Sequence, residues 1–147
     1  MIAHCSGNLL DSGHDALVNS VSCDGEMRLG LAKAFKLRYP AYYENYRRLC
    51  LDGQILCGRV YTYRDASGTT IISFPTKRSL GDEATLGDVY RGISDLANVV
   101  RAGAIRTVAI PALGCGTGGL NYDDVRPLLV RTFATMPHVI AYLYNPR

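Results

Sequence analysis

No apolar run in this 147-residue sequence is long enough to span a bilayer, so no membrane partner is expected. The first residues, Met1 to Gly7, lack the basic stretch and apolar core of a secretory signal, and the expected location is the cytoplasm. The five cysteines, Cys5, Cys23, Cys50, Cys57 and Cys115, are odd in number and contain no C-x-x-C pair. That argues against a disulfide framework or a zinc ribbon and for buried free thiols. His4, His14 and His138 are scattered without metal-ligand spacing, and no metal or cofactor is expected. No serine–histidine–acid arrangement stands out. Internal repeats, low-complexity tracts and linkers are also missing, so the expectation is a single monomeric domain over residues 1–147. A net charge of +3 suits an anionic ligand but is too mild to argue for wrapping duplex DNA.

What is present alternates between short apolar runs and helical periodicity. Ile2 to Cys5 and Ala16 to Asn19 read as buried strands. Leu29 to Tyr39 reads as a helix with Leu31, Ala34 and Phe35 inward, ended by Pro40, and Ala41 to Cys50 as a second helix. Arg59 to Arg64 and Thr69 to Phe74 read as a hairpin turning at Asp65-Ala66-Ser67-Gly68. Leu86, Val89, Ile93, Leu96 and Val100 mark one face of a long helix closed by Gly103. Thr107 to Ile110 is a further strand. A helix with Val125, Leu128, Leu129 and Phe133 inward follows, opened by Asp123 and Asp124 with Pro127 near its first turn, and then a last strand, Val139 to Tyr144. This order predicts a three-layer α/β/α sandwich with a mixed central sheet.

The strongest chemical signal is the segment Ile110-Pro111-Ala112-Leu113-Gly114-Cys115-Gly116-Thr117-Gly118-Gly119-Leu120, which leaves a strand and enters a helix. Its glycines remove side chains that would hold a ligand off the backbone, and successive free N–H groups can then nest a phosphate or pyrophosphate. Gly114, Gly116 and Gly119 match G-x-G-x-x-G, but no acidic ribose ligand follows the next strand and no Lys-Ser or Lys-Thr follows the glycines. Neither a dinucleotide fold nor an NTPase phosphate loop therefore fits. A tight connection without a ligand is the alternative. A second polar stretch, Asn19, Ser20, Ser22 and Asp24, leads through Gly25 to Gly30 into a helix. It could hold ribose hydroxyls and a second phosphate, or serve as turn chemistry. Tyr39, Tyr42, Tyr43 and Tyr46 lie among Lys33, Lys36, Arg38, Arg47 and Arg48, a pattern that fits either ordinary packing or a platform for single-stranded nucleic acid.

Taken together, Gly7-Asn8-Leu9-Leu10, Ala16-Leu17-Val18-Asn19, Gly30-Leu31-Ala32 and Pro111-Ala112-Leu113-Gly114-Cys115-Gly116 resemble the macrodomain family, in the family's order and over essentially the whole chain. The resemblance implies ADP-ribose binding across the carboxyl ends of the sheet. It places Asn8, Leu9 and Asn145 near the adenine and Asn19 and Ser22 beside the distal ribose. The Met27 to Gly30 turn and the Gly114, Cys115, Gly116, Thr117, Gly118 backbone would lie around the pyrophosphate, with Leu31, Pro75, Thr76 and Leu113 completing the contact set. Within the family the chain is similar to DNA ADP-ribosyl glycohydrolase antitoxins of the DarG type and to the terminal ADP-ribose protein glycohydrolase. Phe74-Pro75-Thr76-Lys77 carries that similarity, and it implies that Lys77 is catalytic. Against those relatives, Asn8 stands where many carry Asp, Ser22 where Asn is common, Gly118 where the terminal glycohydrolase has an Asp, and Ser79-Leu80 where the DNA-directed enzymes often have His-Trp.

A lysine amine can attack a sugar's anomeric carbon as a nucleophile when neutral, which burial beside Phe74 and the charge of Arg78 would favour; kept charged, it can stabilise a leaving group. The expected function is therefore removal of ADP-ribose from DNA bases. The partners would be ADP-ribose or an ADP-ribosylated macromolecule such as single-stranded DNA, and a cognate ADP-ribosyltransferase toxin. The alternatives are hydrolysis of ADP-ribose esters on protein carboxylates or acetylated ADP-ribose, a non-catalytic ADP-ribose reader, and a single-strand binder built on the tyrosine-rich region.

Overall fold

The computed structural model describes residues 1–146, so the last residue of the expected domain, Arg147, lies outside the described residues. The strands are β1 (Ile2–Cys5), β2 (Ala16–Ser22), β3 (Tyr61–Arg64), β4 (Thr70–Lys77), β5 (Thr107–Ile110) and β6 (Ile140–Tyr144). The helices are α1 (Gly30–Arg38), α2 (Pro40–Leu51), α3 (Leu86–Ala102) and α4 (Tyr122–Ala134), with a one-turn 3-10 helix at Leu9–Asp11. The strands form one six-stranded sheet in the order β1-β6-β5-β2-β4-β3, in which only the β3–β4 pair is antiparallel. The expected mixed sheet and three layers are both present. Val89, Ile93, Leu96, Val125, Leu129 and Phe133 from α3 and α4 cover one face, while Phe35, Tyr42 and Tyr46 from α1 and α2 cover the other.

The local reasons are those of the sequence, with informative departures. The hairpin turn forms as expected: Asp65 N–H donates to Thr69, Gly68 N–H to Asp65, and the Asp65 carboxylate accepts from Ser67 N–H. Pro40 does more than end α1; it opens α2 at the first helical position, where its missing N–H costs nothing. Pro127 sits inside α4, past the first turn, behind the Asn121 cap that accepts from Asp123 N–H. Gly103 caps α3, but the left-handed residue is its neighbour Ala104, at φ 54°. The cysteines are free but half-buried, not sequestered in the core.

β4 runs further than the apolar pattern suggests, through Pro75 to Lys77. Proline cannot donate to the ladder, and the register with β2 slips at this point: Val21 pairs with Pro75 but Ser22 pairs with Lys77. Strict alternation would send Thr76 and Lys77 to opposite faces. The bulge lets both line the same cleft.

Candidate functional site

A cleft crosses the carboxyl ends of β2, β4, β5 and β6, where ligands sit in open α/β sheets. It has two halves, of 310 and 450 Å³, which share Gly30, Leu31, Pro111, Ala112 and Gly116. A larger depression of 750 Å³ lies between the hairpin and the end of α3, at the amino ends of β2, β4 and β5, away from these groups.

The shared floor offers backbone donors from two sides. In the glycine loop, Cys115 N–H bonds Ala112, Gly119 N–H bonds Gly116 and Leu120 N–H bonds Gly114. Among the described residues, the N–H groups of Gly116, Thr117 and Gly118 have no acceptor. Opposite them, α1 begins at Gly30, in a left-handed conformation of φ 52° that a side chain would disfavour. Its N-cap Leu29 supplies no side-chain acceptor, whereas α3 and α4 are capped by Thr85 and Asn121. Uncapped first-turn amides facing a loop of free N–H groups make a site for a diphosphate.

The smaller half ends at Lys77, which is only 5 % exposed. Its Nζ donates to the Leu80 carbonyl and to Thr117 Oγ1, each at 2.7 Å. With Cε these anchors occupy three tetrahedral positions of the nitrogen and leave one corner for a ligand. That corner carries an N–H in the ammonium and the lone pair in the free amine. The environment differs from the one inferred above. Phe74 belongs to the α3–α4 core, and the mostly exposed Arg78 turns to Asp88 at 3.5 Å, a carboxylate that Arg91 also contacts.

Asp24 knits the lysine end together. Its carboxylate accepts from Ser22 Oγ, from Glu26 N–H at 3.2 Å and from Leu80 N–H at 2.8 Å. Burial pushes its pKa up, but the hydrogen bonds from Ser22, Leu80 and Glu26 outweigh burial and hold it below its usual value. Cys23 N–H bonds the Lys77 carbonyl at 3.0 Å. Beside it the Cys23 and Cys57 sulfurs lie 3.7 Å apart, and burial followed by the neighbouring thiol pushes Cys23 up to about 12.

The structure brings together most of the expected ligand residues. Ser22, Gly30, Leu31, Thr76, Gly114, Gly116, Thr117 and Gly118 line the lysine half. Asn8, Leu9, Cys115 and Asn145 line the other, where Asn8 also caps the 3-10 turn through Leu10 N–H. Four expected contacts are not among the lining residues. The Asn19 side chain is fully buried against Tyr42 and Met27, with its Oδ1 unpartnered; Met27 packs under α1 and α2; Leu113 is core; and Pro75 sits at the bulge. Leu80 and Tyr144 join the lining without having been foreseen; Arg28 joins it from the expected Met27 to Gly30 turn, and Ser20 as the polar stretch suggested.

Two of the three tyrosines of α2 are committed to the interior. Tyr42 and Tyr46 are 1 % exposed; Tyr46 donates to the Ser22 carbonyl at 2.6 Å and Tyr43 to that of Gly25 at 3.1 Å. They brace the strand–helix loop, so Tyr42 and Tyr46 present no ring for stacking, while the half-buried Tyr43 carries Lys36 Nζ 4.4 Å over its ring.

Comparison with known proteins follows the same lines. A family model described as "Macro domain" matches residues 18–129. The chain is 39 % identical over 149 residues to a DNA ADP-ribosyl glycohydrolase of Mycobacterium tuberculosis, a match covering 99 % of this chain and 42 % of the relative. The chain thus spans about two-fifths of the length of the curated relatives it matches. The solved macrodomain of Mycobacterium tuberculosis DarG superposes with a TM-score of 0.98 at 38 % identity, over 100 % of this chain and 99 % of that one. Thermosipho africanus DarTG in complex with ADP-ribose superposes with a TM-score of 0.90 at 27 % identity, over 98 % of this chain and 42 % of that one. From the same species, a DNA ADP-ribosyl transferase–DNA ADP-ribosyl glycohydrolase fusion protein is 27 % identical over 158 residues, 95 % of this chain and 40 % of the relative.

Proposed function

Because the chain belongs to the macrodomain family, we propose that it binds ADP-ribose in the cleft and hydrolyses its bond to a base in DNA, with Lys77 at the reacting centre. The diphosphate lies between the free N–H groups of Gly116 to Gly118 and the start of α1. Adenine occupies the half lined by Asn8, Leu9 and Asn145, and the distal ribose lies by Ser20, Ser22 and Thr76. The anomeric carbon then meets the one unoccupied corner of Nζ. There an amine adds to the carbon as the base departs with a proton, and water then cleaves the lysine–ribose adduct to free ADP-ribose and restore the amine; or an ammonium gives its proton to the departing base while water attacks the carbon. The names of the relatives support DNA as the target, and the fusion protein supports an ADP-ribosyltransferase as the partner whose modification is reversed. Single-stranded DNA as substrate and a monomeric state complete the reading.

The observation that carries this proposal is the buried Nζ, held by two neutral acceptors, one of them Thr117 within the loop of free amides. The test sets ADP-ribosylated single-stranded DNA beside ADP-ribosylated protein, with wild type against Lys77→Ala. Wild type should release ADP-ribose from the DNA. The variant should lose about 100-fold or more of the rate, the scale of a positioned proton-transfer or nucleophilic group, with ADP-ribose affinity near normal. Full turnover by the variant removes the lysine from the chemistry. Release from protein alone redirects the activity to ester substrates, and binding without turnover on either makes the chain a reader.

A further inference from the structure

We propose that Thr117 is a positioning residue for Lys77, its hydroxyl coupling occupation of the glycine loop to the amine; this rests on the hydrolase reading above. Lys77 makes no ion pair among the described residues, and its only side-chain partner is Thr117, 40 residues away in sequence. Thr117 is exposed and lines the same half of the cleft as the lysine. It lies between Gly116 and Gly118, at the centre of the N–H groups that have no internal acceptor. No neighbour can replace it. Gly116 and Gly119 carry no side chain, and a Cβ at Gly118 would stand 2.6 Å from the Gly114 carbonyl oxygen and 3.0 Å from Ala84 Cβ, so a larger residue there would displace the loop.

A hydroxyl in this place has two uses at once. Its oxygen accepts from Nζ, and its own proton remains free to donate to a phosphate or ribose oxygen in the cleft. A ligand that takes that proton turns the oxygen lone pairs towards the lysine and strengthens the anchoring bond. The remaining anchor, the Leu80 carbonyl, belongs to a backbone segment held by Asp24 at Leu80 N–H and by the Gly118 carbonyl at Ala84 N–H, with no side chain in the link. Among the described residues, Thr117 is the one side chain of the glycine loop hydrogen-bonded to the amine.

Thr117→Val removes the hydroxyl at nearly constant shape, and Thr117→Ser restores it. On ADP-ribosylated single-stranded DNA, Val should lower kcat about tenfold, the worth of one hydrogen bond to a charged group. ADP-ribose affinity by calorimetry should fall in Val by about two- to fivefold, the worth of the one hydrogen bond the hydroxyl gives the ligand and less than the loss in kcat; the retained binding also reports that both variants fold, and Ser should keep near-wild-type affinity and kcat. Acylation of Lys77 by an amine-reactive ester, read by mass spectrometry, should be faster in Val than in wild type or Ser. Unchanged kcat in Val, an equal loss of affinity and kcat, or a Ser variant as slow as Val would each overturn the proposal. If wild type leaves the DNA untouched, the hydrolase reading fails, and the acylation arm alone decides Thr117: an unchanged rate in Val overturns its role.

Discussion

Asp24 links strand ends that are far apart in sequence: it holds Leu80 through the backbone N–H, and the Leu80 carbonyl in turn holds Nζ of Lys77. Its carboxyl is depressed below 3.8 in the folded chain, because hydrogen bonding to the charged form outweighs burial. The unfolded chain therefore binds more protons between the folded and unfolded pKa values, and stability rises with pH across that window. The contribution is complete above about pH 4 and is lost as pH falls through the folded value. Asp24→Asn should flatten the acid limb of the urea midpoint against pH, and an unchanged limb would assign it to other carboxylates. In the sequence Asp24 reads as part of a ribose-holding or turn stretch, and its tie to the lysine is hidden, since Leu80 lies 56 positions away and nothing in composition or spacing joins the two. Lys77 was legible because its place at a strand end after Phe-Pro-Thr resembles that of the catalytic lysine in the DarG-type relatives. Its surroundings were not, because neighbours in sequence point to opposite faces of the sheet, so Phe74 and Arg78 serve the α3 side instead.

Periodicity exposed the elements well, because strands buried on both faces and amphipathic helices leave plain patterns. It failed where an element serves two surfaces. The apolar stripe of α1 is divided: Phe35 enters the core while Leu31 and Ala34 form the cleft wall, so a pattern read as core is partly a ligand surface. It failed again at β4, where Pro75 looks like a stop and is instead accommodated by the bulge that delivers Thr76 and Lys77 together. The seating of α3 on this strand depends on Gly92. A Cβ there would lie 2.4 Å from Cζ of Phe74, which is fully buried and has no room to withdraw. Alanine recovers up to about 1 kcal/mol of helix propensity, but overpacking a full core costs about 1–3 kcal/mol, so Gly92→Ala should destabilise the chain. Adding Phe74→Leu should recover part of that loss in a double-mutant cycle. Additive losses would show that the helix shifts instead of clashing.

Across the whole molecule, the cleft is assembled from segments near both ends and the middle of the chain: the turn at Asn8, the start of α1, the end of β4, the glycine loop and Asn145. None of them forms a site alone, and the unfolded chain has no means of bringing the free N–H groups of Gly116 to Gly118 opposite the α1 amides. A ligand that needs this arrangement binds the native state only, and its binding free energy adds to stability through mass action. At about 100 times the dissociation constant the gain is about 2.7 kcal/mol. A chain of this size gains roughly 2–4 °C in Tm per kcal/mol, so ADP-ribose should raise Tm by roughly 5–10 °C, growing with the logarithm of ligand concentration. Lys77→Ala should show nearly the same rise if, as proposed, backbone grips the diphosphate and the lysine acts on the reacting carbon. If the rise disappears with the lysine, Nζ is a principal ligand contact and the division between gripping loop and reacting amine is wrong. If neither protein responds to ADP-ribose, the free amides of the glycine loop serve another anion.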